Sequence, residues 1–137
     1  MELRIRLLDD RAKLPRRAHP NDAGLDLAPL EDHMIGPGET RKMRTGIAVE
    51  IPTGYFGLLQ SRSSAKMNGI DITCVIDSDY RGDVTISAAN IGEGFVHVRA
   101  CQFIAQLIII PCLSPAISIV PELSETGRGA KGFGSSG

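Results

Sequence analysis

Hydrophobic and polar residues alternate in short bursts along this chain, and almost none of the apolar spacing is helical. Bursts of strand type fall at 3–8, 45–51, 57–60, 70–76, 84–89, 94–99, 103–110 and 117–120. Between them lie clusters rich in turn formers: Pro20-Asn21-Asp22-Ala23-Gly24, Gly36-Pro37-Gly38, Pro52-Thr53-Gly54 and Asn90-Ile91-Gly92. Residues 63–68 suit one or two helical turns. Many short strands punctuated this way predict an all-β sandwich, barrel or jelly roll. No internal repeat and no second domain is visible.

Composition sharpens this picture. The chain has 137 residues, the size of one domain with one core. At 42% hydrophobic and 23% charged it is a foldable soluble domain. A net charge of -1 argues against a partner such as nucleic acid, which calls for a basic face. The basic residues Arg11, Lys13, Arg16 and Arg17 are broken by Pro15, and read as a solvated loop or an anion site. The longest apolar run, 103–113, contains Gln106 and is too short to span a bilayer, so no membrane partner is expected. The N-terminus MELRIRLLDD shows no secretory signal, so an intracellular protein of cytoplasm or nucleus is expected. Cys74, Cys101 and Cys112 lie far apart in apolar surroundings and are expected to be buried free thiols.

From Gly127 onward the character changes. GRGAKGFGSSG holds five glycines, two cations and one Phe. The division expected is a core over 1–126 and a flexible arm over 127–137, with the composition of a flap over an anionic, aromatic ligand. Two GxGxxG matches in this arm precede no helix, so they do not make a dinucleotide site. The run 77–83 begins like a calcium loop but has Arg81 at position five and Ala88 at position twelve, where oxygen ligands are required.

Four segments carry polar chemistry inside apolar surroundings. Asp26 interrupts the apolar start of a strand within DAGLDL. Ser61-Arg62-Ser63-Ser64 suits either a grip on phosphate or a helix N-cap by Ser63 or Ser64. Asp77, Asp79, Tyr80 and Arg81 occupy a turn between two strands, where Asp is ordinary turn chemistry but Tyr80 and Arg81 are not. Gln106 puts an amide in an otherwise apolar strand, as a satisfied core or edge residue or as a ligand donor.

Taken in order, DAGLDL at 22–27, SRSS at 61–64, VIDSDYRGDV at 75–84, FIAQLI at 103–108 and RGAKGFGSSG at 128–137 resemble the five motifs of trimeric dUTPases. That family hydrolyses dUTP to dUMP and pyrophosphate. The resemblance implies a jelly-roll-like β-barrel subunit, a homotrimer with shared active sites at subunit junctions, and a mobile C-terminal arm that closes over a neighbour's site. It implies Mg²⁺ as cofactor, reached by Asp26 through water, and Asp77 as the general base for water attack on the α-phosphorus. Arg62, Ser63, Ser64 and Gln106 would hold phosphates. Tyr80 would stack under the deoxyribose, and main-chain groups around Cys74 and Thr85 would read uracil. From the arm, Phe133 would cover the base, Arg128 would pair with the γ-phosphate, and Gly134, Ser135 and Ser136 would close over the phosphates.

Three positions depart from the family's usual motifs. Cys74 stands where Gly precedes Val-Ile-Asp, Cys101-Gln102-Phe103 replaces Gly-Asp-Arg, and Ser61 replaces Pro or Gly. None removes a residue implied to do chemistry. Two other functions are compatible with the fold: a dCTP deaminase, marked by ammonia release, and a catalytically weakened trimer serving as a protein-binding or signalling module.

The arm generates the first prediction. Deleting the residues after Gly127 is expected to leave the fold and its melting nearly unchanged while kcat on dUTP falls by orders of magnitude, because closure expels water from the reacting centre. Turnover within a few-fold of the full chain would show that the arm is not a catalytic lid.

Overall fold

The computed structural model describes residues 1–132 and Gly134. β-branched residues with a two-residue burial period dominate it, and they form ten strands and one short helix among the described residues. The strands are β1 (Arg4–Leu7), β2 (Gly24–Leu27), β3 (His33–Ile35), β4 (Thr40–Arg44), β5 (Ile47–Glu50) and β6 (Tyr55–Ser61). After the helix α1 (Ser63–Met67) come β7 (Ile70–Ile76), β8 (Thr85–Asn90), β9 (Val96–Val98) and β10 (Ala105–Pro111).

Six strands form one curled antiparallel sheet in the order β2-β10-β6-β7-β8-β4. Two ribbons, β1–β5 and β3–β9, close over it. Every strand except β1 sends at least one buried apolar side chain into a single core: Leu27, Ile35, Met43, Ile47, Leu59, Ile72, Ile86, Val98 and Leu107 are at most 1% exposed. The result is all-β, as the alternation predicts, and jelly-roll-like, as the family resemblance implies. Strand β8 shows the alternation cleanly, with Ile86, Ala88 and Asn90 inward. Asn90 is buried without penalty because its amide donates to Ile35 O and Gly94 O and its oxygen accepts from Gly92 N–H.

Several expectations are corrected. No strand forms at 117–120: Ile117 and Ile119 are 91% and 93% exposed and pair with nothing in this subunit. Strands β3 and β4 lie where no burst stood out, because β3 is short and β4 buries only Met43 among charged neighbours. The cysteines are free but not buried: Cys74 and Cys112 are half-buried and Cys101 is exposed. Cys101 also takes a left-handed backbone, φ 64°, the conformation for which the usual glycine is suited. Helix α1 is capped by Arg62 in an extended conformation with no side-chain cap, so neither Ser63 nor Ser64 serves as N-cap.

Leu59 sits at the centre of the curled sheet, fully buried and paired with Leu107 on β10 and Cys74 on β7. Leu59→Ala is expected to cost about 2–5 kcal/mol, read as a lowered midpoint in urea with an unchanged slope.

Candidate functional site

Strand β7 lies between β8 and β6, and its two ladders cover different parts of it. On one edge Ile70, Asp71 and Ile72 pair with Asn90, Ala89 and Ala88 of β8, and that ladder then stops. On the other edge Thr73 to Ile76 pair with Gln60 to Gly57 of β6. The β7–β8 hairpin therefore splays toward its tip, leaving a cleft of about 270 Å³ lined by Cys74, Ile76, Asp77, Tyr80, Asp83 and Thr85 among others. The facing backbone edges of the two limbs have no ladder partner there. They offer donors and acceptors in a fixed plane, the arrangement that reads the edge of a flat heterocycle.

The tip is a turn closed by Tyr80 N–H donating to Asp77 O at 3.1 Å. It presents the Asp77 carboxylate to solvent. Tyr80, 45% exposed, folds back over the turn, and its hydroxyl donates to Asp83 O at 2.8 Å. Gly82 lies directly beneath it: a Cβ there would come 2.5 Å from the Tyr80 hydroxyl and displace the ring. Cys74 points to the core side of its strand and forms part of the cleft wall. Its side chain is accommodated without a positive φ.

A second cleft, about 420 Å³, is polar and lined by Asp22, Gly24, Asp26, Arg62, Ser63, Ser64 and Gln106 with two alanines. Strand register assembles it. Gln106 on β10 lies opposite Asp26 on β2 and opposite Gln60 on β6, so these side chains share one face. Gly24 leaves room for the Gln106 amide, whose oxygen would collide with any Cβ there. The Gln106 amide donates to Ser61 O at 3.3 Å. Arg62, just past the end of β6, places Nε 3.1 Å from Asp26 Oδ1 and donates to Phe103 O. Asp26 is 6% exposed and its second oxygen, Oδ2, has no partner.

One subunit thus sorts the expected residues into two groups. Cys74, Asp77, Tyr80 and Thr85 line one cleft; Asp26, Arg62, Ser63, Ser64 and Gln106 line the other. Arg128 joins neither: its guanidinium donates to Lys131 O and Gly132 O within its own tail. Gly134 has a left-handed φ of 87°. Phe133, Ser135 and Ser136 lie outside the described residues.

The basic cluster disperses. Arg11 forks onto Asp9, and this hydrogen bonding holds the Asp9 carboxyl well below the usual carboxylate range. Arg16 and Lys13 stack over the Phe103 ring at 4.8 and 5.7 Å from its centroid. Two contributors escaped the sequence reading. Asp83 binds the β4–β5 turn with its carboxylate, and Ser61 bridges β6 to β7 by donating to Ile70 O and accepting from Ile72 N–H. Both look like ordinary turn or strand-end residues in sequence.

A family model described as dUTPase matches residues 10–137. The deoxyuridine 5'-triphosphate nucleotidohydrolase of Clostridium tetani is 42% identical, over 98% of this chain and 96% of its own. That of Cowpox virus is 40% identical, over 93% and 88%. The Staphylococcus bacteriophage 80alpha dUTPase with dUPNHPP superposes with a TM-score of 0.93 at 34% identity, covering 99% of this chain and 98% of that one. A mutant dUTPase from phage phi11 of S. aureus, solved for its coordination of a structural Mg(II) ion, gives a TM-score of 0.83 at 30% identity over 89% and 98%.

The Asp26–Arg62 pair generates a stability prediction. Arg62→Ala strands a buried carboxylate and is expected to cost about 2 kcal/mol, less than for a fully buried pair because the Arg62 side chain is 33% exposed. Asp26→Asn in the same protein is expected to recover part of that loss in urea unfolding; an additive double variant would show that the pair is not coupled.

Proposed function

This chain belongs to the dUTPase family, and on that premise we propose that it hydrolyses dUTP to dUMP and pyrophosphate with Asp77 as the general base. The observation that carries this reading is the splayed β7–β8 hairpin, which puts a carboxylate and a tyrosine at the mouth of a cleft walled by free backbone edges. Uracil enters between the limbs and is read by main-chain groups around Cys74 and Thr85. Tyr80 lies under the deoxyribose and leaves no room for a 2′-hydroxyl. Asp77, held at the turn, orients the attacking water and takes its proton as the water adds to the α-phosphorus and pyrophosphate leaves.

The substrate carries about four negative charges at neutral pH, so the phosphate end needs cations and donors. Arg62, Ser63, Ser64 and Gln106 supply them in the polar cleft. Magnesium fits the same cleft. Asp26 Oδ2 is buried, unpaired and able to accept a hydrogen bond from a metal-bound water. Among the described residues no group of three or more His, Cys, Asp or Glu offers a direct ligand cage, which suits an ion that keeps its waters. Bound there with the triphosphate, it supplies neutralisation of phosphate charge.

The base-reading and phosphate-holding residues line different clefts of one subunit, which supports a homotrimer whose sites combine one cleft from each of two copies. The exposed apolar side chains Leu113, Ile117, Ile119 and Leu123 support burial against another copy. The arm of 127–137 then closes the site, with Arg128 on the γ-phosphate, Phe133 over the base and Gly134, Ser135 and Ser136 across the phosphates.

The test is release of pyrophosphate from dUTP with Mg²⁺, against dTTP, dCTP and UTP. Asp77→Asn keeps the shape of the side chain and loses the proton acceptor, so turnover is expected to fall by about 10²-fold or more, and Asp79→Asn by much less. Near-normal turnover by Asp77→Asn, or failure of the unmodified protein to cleave dUTP, would overturn the reading.

A further inference from the structure

The two limbs of the splayed hairpin are held apart from outside. The β7 limb is tied to β6 through the ladder at 73–76 and through the Ser61 hydroxyl. The β8 limb is laddered to β4, and its start is tied to the turn between β4 and β5 by Val84, whose N–H donates to Ile47 O and whose carbonyl accepts from Thr45, and by the carboxylate of Asp83. Its Oδ1 accepts from Thr45 N–H at 3.1 Å and Gly46 N–H at 3.2 Å. Its Oδ2 accepts from Arg44 Nε at 3.0 Å and lies 3.0 Å from Arg44 Nη2 as an ion pair. The carboxylate is 16% exposed, and these charge-assisted bonds fill both oxygens. The turn that receives it is closely packed. Gly46 has φ 73°, and a Cβ there would meet Leu30 Cδ2 at 2.8 Å.

The main chain of the same residue holds Tyr80, because Asp83 O accepts the Tyr80 hydroxyl and, more weakly, the Thr85 hydroxyl. Asp83 is therefore the one residue that joins the β4–β5 turn, the cleft wall and the tyrosine at its mouth. We propose that Asp83 is a positioning residue for dUTP hydrolysis: it holds the β8 limb against the β4–β5 turn, so that the cleft stays open and Tyr80 stays where it excludes a ribose hydroxyl. This inference rests on the reading of the cleft given above.

Without the carboxylate, the β7–β8 register has a continuation available. Thr73 would meet Ser87 and Cys74 would meet Ile86, closing the free edges on each other. A protein that spends most of its time zipped binds substrate only in its open fraction, so its apparent affinity falls by that fraction. Asp77 sits on the turn's other end and its chemistry in the open form is untouched. The expected signature is a split: KM rises and kcat stays.

The experiment compares unmodified protein, Asp83→Ala, Asp83→Asn and Arg44→Gln in steady-state hydrolysis of dUTP and UTP with Mg²⁺. Asp83→Ala is expected to raise KM for dUTP by about tenfold with kcat within about threefold, and to raise UTP use relative to dUTP. Asp83→Asn keeps an oxygen for Thr45 and Gly46 N–H and is expected to recover most of the loss. Arg44→Gln, which leaves the cleft residues intact, is expected to give a smaller change in the same direction. If Asp83→Ala does not fold, a KM and selectivity shift in Arg44→Gln, with Asp83→Asn closer to the unmodified protein, decides the matter. Folded variants with unchanged KM and unchanged UTP discrimination would overturn the positioning role. Unmodified protein that leaves dUTP intact would overturn the reading of the cleft, and this inference with it.

Discussion

The cleft in the β7–β8 hairpin depends on where the ladder between its two strands ends. A hairpin with an uninterrupted ladder is satisfied along its whole length and has nothing left to offer a ligand. Here the ladder to β8 ends after Ile72, while the opposite edge of the next four residues stays paired with β6. Free backbone edges in a half-enclosed cleft are costly to maintain, so the limbs must be held from behind. Ser61 and the β6 ladder hold one limb. Asp83 and the tie from Thr45 Oγ1 to Val84 O hold the other.

The polar cleft beside Asp26 follows from a different constraint, strand register. Because β10 lies between β2 and β6, one row across three strands brings Asp26, Gln106 and Gln60 to the same face. A slip of one residue would turn Asp26 and Gln106 to the other face. The charge of Asp26 is tolerated inside the sheet because Arg62 meets one oxygen. The other oxygen is buried with no partner. Phe103, standing where the family usually has Arg, does not leave its surroundings neutral, since Arg16 and Lys13 lie over its ring.

Local pattern made much of the fold legible. The period-two bursts at 70–76 and 84–89 became β7 and β8 nearly residue for residue, because isoleucine-rich alternation has few other stable uses. The burst at 117–120 has the same pattern and no strand: it pairs with none of the described strands, and Ile117 and Ile119 stand exposed. Strand β4 is the converse case. Its residues are mostly charged and it exists because β8 pairs with it. Cys101 carries a backbone strain that composition cannot reveal, because φ is set by the Arg99–Gln102 turn and the bond from Cys101 N–H to Pro29 O.

The sequence by itself determined the all-β class, the single domain, and the identity and order of the chemical groups from Asp26 to the glycine-rich arm, because those are properties of residue types and short spacings. Tertiary structure decided how the groups are sorted. It set Asp77 and Tyr80 in one cleft and Arg62 and Gln106 in another, and it made Asp83 a joint between a turn at 44–46 and a tyrosine at 80. Those relations join residues tens of positions apart, through register and through hydrogen bonds to backbone groups. A backbone N–H or C=O is the same at every residue, so no pattern of side chains announces which one a carboxylate will find.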